Sequence, residues 1–138
     1  MSLLEGIKVV DFSRVFSGPY CSQMLAELGA DVIKIEQPGK GDETRSWHPL
    51  VNGWSGYFAA LNRSKRSITL NLKHEKSKEI IYRLVKESDV VIENFAPGVV
   101  DRLGISYHDL TKINPKLVYL SISAYGQNGP NREFKGYD

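Results

Sequence analysis

Five short apolar runs, separated by stretches long enough to hold helices, constrain this chain more than any other feature. The runs are "IKVVDF" (7–12), "DVIKIE" (31–36), "RSITLNL" (66–72), "DVVIENF" (89–95) and "LVYLSIS" (117–123). Each has the length and β-branched content of a strand. In the third, Ile68, Leu70 and Leu72 alternate onto one face. Helical patterns lie between them. "YCSQMLAELG" follows Pro19, which suits a first helical turn, and ends on Gly29, which suits the left-handed residue closing a helix. "EKSKEIIYRLVKES" lines one face with Ile80, Ile81, Leu84 and Val85, and sets Glu79–Arg83 and Arg83–Glu87 at the favourable four-residue spacing. "GVVDRLG" and "SYHDLTKIN" predict two short helices, the second with Ser106 as N-cap. "QPGKGDETRSWHPLVNGWSG" reads as a long glycine-rich loop of the kind that usually carries function. "YFAALN" fits either a helix or a strand. Strands joined by helices need right-handed crossovers, so the expected fold is α/β: a Rossmann-like open parallel sheet with flanking helices.

The 138 residues give room for one domain with a hydrophobic core. Hydrophobic residues at 41% and charged residues at 25% are ordinary for a globular protein. No apolar run approaches the roughly 18 residues of a membrane span, and "MSLLEGIKVV" lacks the features of a signal peptide. The single cysteine, Cys21, has no partner for an internal disulfide. Together these features predict a cytoplasmic location. His48, His74 and His108 are too dispersed for metal-ligand spacing, so no metal is expected. A net charge of +2 argues for neither nucleic acid nor an anionic membrane as a partner, and the runs "NRSKRS" and "KHEKSK" read as solvated faces.

Ligands of open parallel sheets bind beyond the carboxyl ends of the strands. The segments expected there are "DFSRVFSGPY", "IEQPGKGD", "NLK", "ENFAPG" and "SAYGQNG". Glu36 ends the second strand, where a ribose-binding acid would sit. The first turn, however, supplies one glycine where a dinucleotide fingerprint needs three, which argues against NAD. A phosphate-binding P-loop pattern is also missing. Cys21 falls in a first helical turn but has no histidine partner, and a buried structural role is expected. Ser17 and Ser123 likewise lack an evident base.

Several of these segments, in order, resemble one family. "LEGIKVVDFSRVFSGPYCSQMLAELGADVIKIEQPGKGDETR", "NRSKRSITLNLK", "DVVIENFAPGVVDRLG", "INPKLVYLSISAYGQNGP" and "KGYD" closely resemble the N-terminal region of class III CoA-transferases, the formyl-CoA and carnitine CoA-transferase type. The resemblance covers essentially the whole chain. It implies that residues 1–138 are the N-terminal part of a CoA-binding large domain, with a small domain and a C-terminal part outside them. It implies an interlocked homodimer, with acyl-CoA and a carboxylic acid acceptor as the substrates. Carried over position by position, coenzyme A would be contacted by Val15, Phe16, Ser17, Leu70, Lys73, Asn94, Phe95, Arg102 and Lys135. The three cations suit charge-assisted hydrogen bonds to phosphates, and Phe95 offers an apolar face to the adenine or the pantetheine arm. Gln37 departs from relatives that place an arginine there, and it brings no charge.

The implied reaction is covalent catalysis by an aspartate. The carboxylate attacks the acyl-CoA thioester, giving a mixed anhydride and CoA thiolate. The thiolate then returns to form an aspartyl-CoA thioester, which the acceptor carboxylate resolves. Backbone N–H groups would stabilise the developing charge on the thioester oxygen. The nucleophile of the family lies in a G-D motif beyond "GYD". Asp138 is therefore expected to be a structural loop residue, and residues 1–138 alone to be inactive. Two other readings stay open. The related α-methylacyl-CoA racemases use a histidine where this chain has Tyr137, and a phenol of pKa about 10 is a poor base at neutral pH. The other is a CoA- or nucleotide-binding module without catalysis.

Overall fold

The structure is a computed structural model that describes residues 2–136. Tyr137 and Asp138, and the roles expected of them, lie outside the described residues.

Five strands form one parallel sheet: β1 (Lys8–Asp11), β2 (Asp31–Glu36), β5 (Arg66–Thr69), β6 (Val90–Glu93) and β7 (Val118–Ser121). Their spatial order is β5-β2-β1-β6-β7. From β1 the chain winds outward to β2 and β5, then crosses back to β6 and β7. The strand order therefore reverses between β1 and β6, as in a Rossmann-like fold. Register pairs Val10 with Ile33 on one side and with Val91 on the other. The expected open parallel sheet is present.

Helices cover both faces, which explains the nearly continuous apolar character of the central strands. On one face Val10, Phe12, Ile35 and Val91 pack with Ile81 and Val85 of α3 (Glu75–Lys86) and Leu110 of α5 (Tyr107–Thr111). Val100 and Leu103 of α4 (Val99–Leu103) close that layer. On the other face Val9, Val32 and Ile92 pack with Ala26 of α1 (Ser17–Glu27). Strand alternation thus sends Val10 to one core and Val9 to the other.

Local signals behave as their chemistry requires. Gly29 ends α1 at φ +104°. The Asp109 carboxylate accepts from the Ser106 N–H at 3.2 Å and hydroxyl at 2.7 Å, closing a capping box before α5. The ambiguous "YFAALN" is helical: α2 (Gly56–Asn62) is capped by the Ser55 hydroxyl, which accepts from the Phe58 N–H at 3.1 Å. The expected loop over 37–56 contains a 3-10 turn (Glu43–Ser46) and a two-stranded hairpin, β3 (Leu50–Val51) with β4 (Trp54–Ser55). Asp42 initiates the 3-10 turn by accepting from the Thr44 N–H at 3.0 Å.

Candidate functional site at the sheet switch point

The turn between β1 and α1 leaves the sheet where its order reverses, and buried ionic groups fix its shape. Asp11 and Lys34 sit on the α1 face near the strand ends and are fully buried. One Asp11 carboxylate oxygen accepts from the Ser13 N–H at 2.8 Å and from the Ser13 hydroxyl. The other accepts from the Ser22 hydroxyl and from Lys65 Nζ at 3.3 Å. Lys65 also donates to the Pro19 carbonyl at 2.8 Å and to Asn62 at 3.0 Å. Burial pushes the Lys65 ammonium down to about 8, against the pull of Asp11. Lys34 donates to the Ser13 carbonyl at 2.8 Å and pairs with Asp42 at 2.9 Å.

The glycine-rich loop is tied to the same network. Asp42 faces the Val15 N–H at 3.3 Å. Glu36 receives both Nε and Nη2 of Arg45 at 2.7 Å, the Asp42 N–H at 2.9 Å and the Ser67 hydroxyl at 2.6 Å. Burial raises the Glu36 carboxyl, but these hydrogen bonds outweigh it and bring it down to about 2. The Arg45 guanidinium lies 3.8 Å from the Phe58 ring centroid. Glu36 is thus consumed in the fold and is not free to hold a ribose, which agrees with the missing dinucleotide glycines.

Two features set the turn's backbone. Val15 has φ +68°, a left-handed conformation that is an outlier for a β-branched residue. Gly18 approaches Ser13 so closely that an added Cβ would lie 2.1 Å from the Ser13 Cβ. Across the switch point, Asn94 follows β6 and clasps the turn. Its Oδ1 accepts from the Arg14 N–H at 2.8 Å, and its Nδ2 donates to the Arg14 carbonyl at 2.7 Å. The Arg14 guanidinium sits 5.5 Å from the Phe95 ring centroid. Phe16 is exposed and stacks on Tyr20, with centroids 5.7 Å apart.

Beyond β6 and β7 opens a cleft of about 770 Å³, lined among others by Glu93, Arg102, Tyr119, Ser121 and Gln127. Burial pushes the Tyr119 phenol up, with Glu93 adding to the rise. Among the described residues, neither Lys73, Arg102 nor Lys135 has an ion-pair partner.

Of the residues named from sequence, Val15, Phe16, Ser17, Asn94 and Phe95 come together at the switch point, and Ser17 lies 3.4 Å from Asn94 Nδ2. Arg102 lines the adjoining cleft. Leu70 packs against the same core as Phe95, at the β5 edge. Lys73 and Lys135 are exposed and outside this cluster of contacts. Arg14, Lys34, Asp42, Lys65 and Glu93 were not foreseen. A lysine inside "DVIKIE" is the one signal that could have pointed to the buried network.

Residues 4–138 match the profile described as CoA-transferase family III. The chain belongs to this family. A formyl-CoA:oxalate CoA-transferase of Afipia carboxidovorans is 51% identical over 98% of the chain, which spans 32% of that relative. Human succinyl-CoA:glutarate CoA-transferase is 45% identical over 98% of the chain and 31% of its own length. Among solved structures, a CAIB/BAIF family protein from Brucella suis superposes with a TM-score of 0.93 at 48% identity, over 99% of the chain and 37% of that protein. The chain thus spans about a third of the length of its curated family III relatives. Among the described residues no helix is long and apolar enough to cross a membrane, and no group of His, Cys, Asp and Glu is placed to hold a metal ion.

Proposed function

We propose that residues 1–138 form the N-terminal part of the CoA-binding large domain of an acyl-CoA:carboxylate CoA-transferase. The observation that carries this reading is the meeting of the β1–α1 turn with Asn94 and Phe95 at the switch point, beside an open cleft with an unpaired Arg102. Open α/β sheets bind ligands at that place, and the relatives' names give the chemistry.

In this reading the backbone of Val15, Phe16 and Ser17 lines the path of coenzyme A, held rigid by Asp42 and Asn94. Phe95 and Leu70 supply apolar surface, and Arg102, Lys73 and Lys135 meet the phosphates as charge-assisted donors. Asn94 acts by positioning, because its amide is occupied by the Arg14 backbone. The nucleophilic aspartate is supplied by chain beyond residue 138, and no metal takes part. The complete protein is read as an interlocked homodimer of the cytoplasm. Support for an interface comes from the exposed stripe Phe16, Tyr20, Met24 and Leu28 along α1.

The test incubates the complete protein with succinyl-CoA or formyl-CoA and a dicarboxylate such as oxalate or glutarate. Chromatography follows the transfer of CoA. A new acyl-CoA that depends on the added acid is the expected result. Failure to bind CoA in calorimetry overturns the reading.

A further inference from the structure

By composition the run "NRSKRS" is a solvated face, yet the side chain of its Lys65 is 1% exposed. Ser64, just before it, has φ +64°, an uncommon angle for a residue other than glycine. Three acceptors from three elements meet the Lys65 ammonium. They are Asp11 Oδ2 of β1 at 3.3 Å, the Pro19 carbonyl of α1 at 2.8 Å and Asn62 Oδ1 of α2 at 3.0 Å. An ammonium carries three N–H donors, so this set uses all of them.

The contacts fall on both stems of the turn over 14–18. On the strand side, the same Asp11 carboxylate holds the Ser13 N–H at 2.8 Å and the Ser13 hydroxyl. On the helix side, Pro19 lies in the first turn of α1. Asn62 ends α2, whose Tyr57 ring centroid is 6.5 Å from that of Phe16. The hydrogen bonds of Lys65 reach none of Val15, Phe16 and Ser17 themselves. We propose that Lys65 is a positioning residue for coenzyme A: by tying Asp11, the start of α1 and the end of α2 to one charge, it sets the backbone that lines the ligand's path. This deepens the CoA-transferase reading and rests on it.

The protonation state of Lys65 separates positioning from stability. Burial brings the ammonium down to about 8, against the pull of Asp11. The titratable groups that act on it or feel it are Asp11 on β1, Lys34 on β2, Asp42 in the glycine-rich loop and Cys21 on α1. Above that pH the neutral amine has two N–H groups for three acceptors and leaves Asp11 without its counter-charge. A lysine whose folded pKa lies below its unfolded value of about 10.4 contributes more stability as pH rises between the two. Through this group, turn positioning weakens with rising pH while fold stability grows.

The test measures binding of desulfo-CoA, which carries no titrating thiol, to the complete protein by calorimetry between pH 7 and about pH 9.5. Wild-type affinity is expected to fall about tenfold across this range, with the protein still folded by circular dichroism. In Lys65→Met, affinity should be about tenfold lower at pH 7 and should lack that step. This variant leaves Asp11 buried and unpaired. The double variant Asp11→Asn, Lys65→Met removes both charges, keeps an acceptor for the Ser13 N–H, and keeps the test open should the single variant fail to fold. It too should bind weakly and without the step. Wild-type affinity in either folded variant, or a step that persists without Lys65, would confine Lys65 to holding the fold. Either result overturns the proposal while leaving the transferase reading standing. A wild-type protein that binds no desulfo-CoA at any of these pH values overturns both.

Discussion

Glu36 offers the most quantitative test of how the glycine-rich loop is anchored. Its carboxyl is brought from 4.5 to about 2 by Arg45, Ser67 and the Asp42 N–H, against the opposing effect of burial. A carboxylate whose folded pKa is depressed contributes stability above its unfolded pKa and loses it as pH falls toward the folded value. The separation corresponds to about 3 kcal/mol at neutral pH, of which about 2 kcal/mol disappears between pH 5 and pH 3. In Glu36→Gln this titration is gone, although Arg45 is left without its carboxylate partner. The variant should be less stable than wild type at pH 7, and the gap should narrow by about 2 kcal/mol on moving from pH 5 to pH 3. Urea unfolding at closely spaced pH values measures it, because the difference between the two proteins cancels the other carboxylates. Parallel curves for the two proteins would refute the argument and would mean that the bidentate contact contributes no net stability.

Gly18→Ala places a methyl group 2.1 Å from the Ser13 Cβ, so Ser13 must leave Asp11; a loss of about 1–3 kcal/mol in denaturant midpoints is expected, together with weaker CoA binding. Arg102→Ala in the complete protein should weaken CoA binding about ten- to a hundredfold by calorimetry. If Arg102 meets the ribose phosphate, dephospho-CoA should be affected much less; equal losses would place Arg102 on the pyrophosphate. A polypeptide restricted to residues 1–138 should self-associate in light scattering, through Phe16, Tyr20, Met24 and Leu28 on α1 and Val51 and Trp54 on the hairpin. A compact monomer would count against an interface there.

The strands were legible because a parallel sheet buried on both faces leaves short apolar runs that resemble nothing else. The α3 stripe of Ile81 and Val85 and the Ser106 cap were legible from spacing alone. The polar network was not. Lys34 alternates with Ile33 and Ile35 as a solvent-facing lysine would, and its burial depends on Asp42 and the Ser13 carbonyl arriving from elsewhere in the chain. Glu36 was noticed at the right place, but its partner Arg45 comes from a loop whose conformation no periodicity encodes. The switch-point residues from Val15 to Ser17, with Asn94 and Phe95, were named through family resemblance. Arg14 escaped because an arginine after a strand looks like any surface cation until Phe95 is placed under it.

Val15 carries a consequence for how this turn can change over time. Its φ of +68° costs about 1–3 kcal/mol in a β-branched residue, and the buried ion pairs beneath hold it there. Ordering of the turn is therefore settled during folding and does not weigh on ligand capture. Glycine would accept the same angle without strain, a gain of about 1–3 kcal/mol, but would bring a more flexible unfolded chain, a loss of about 0.5–1 kcal/mol. A search guided only by thermal stability would accept Val15→Gly as neutral or stabilising. A search guided by ligand affinity would reject it, and the two selections would carry descendants of this turn in different directions.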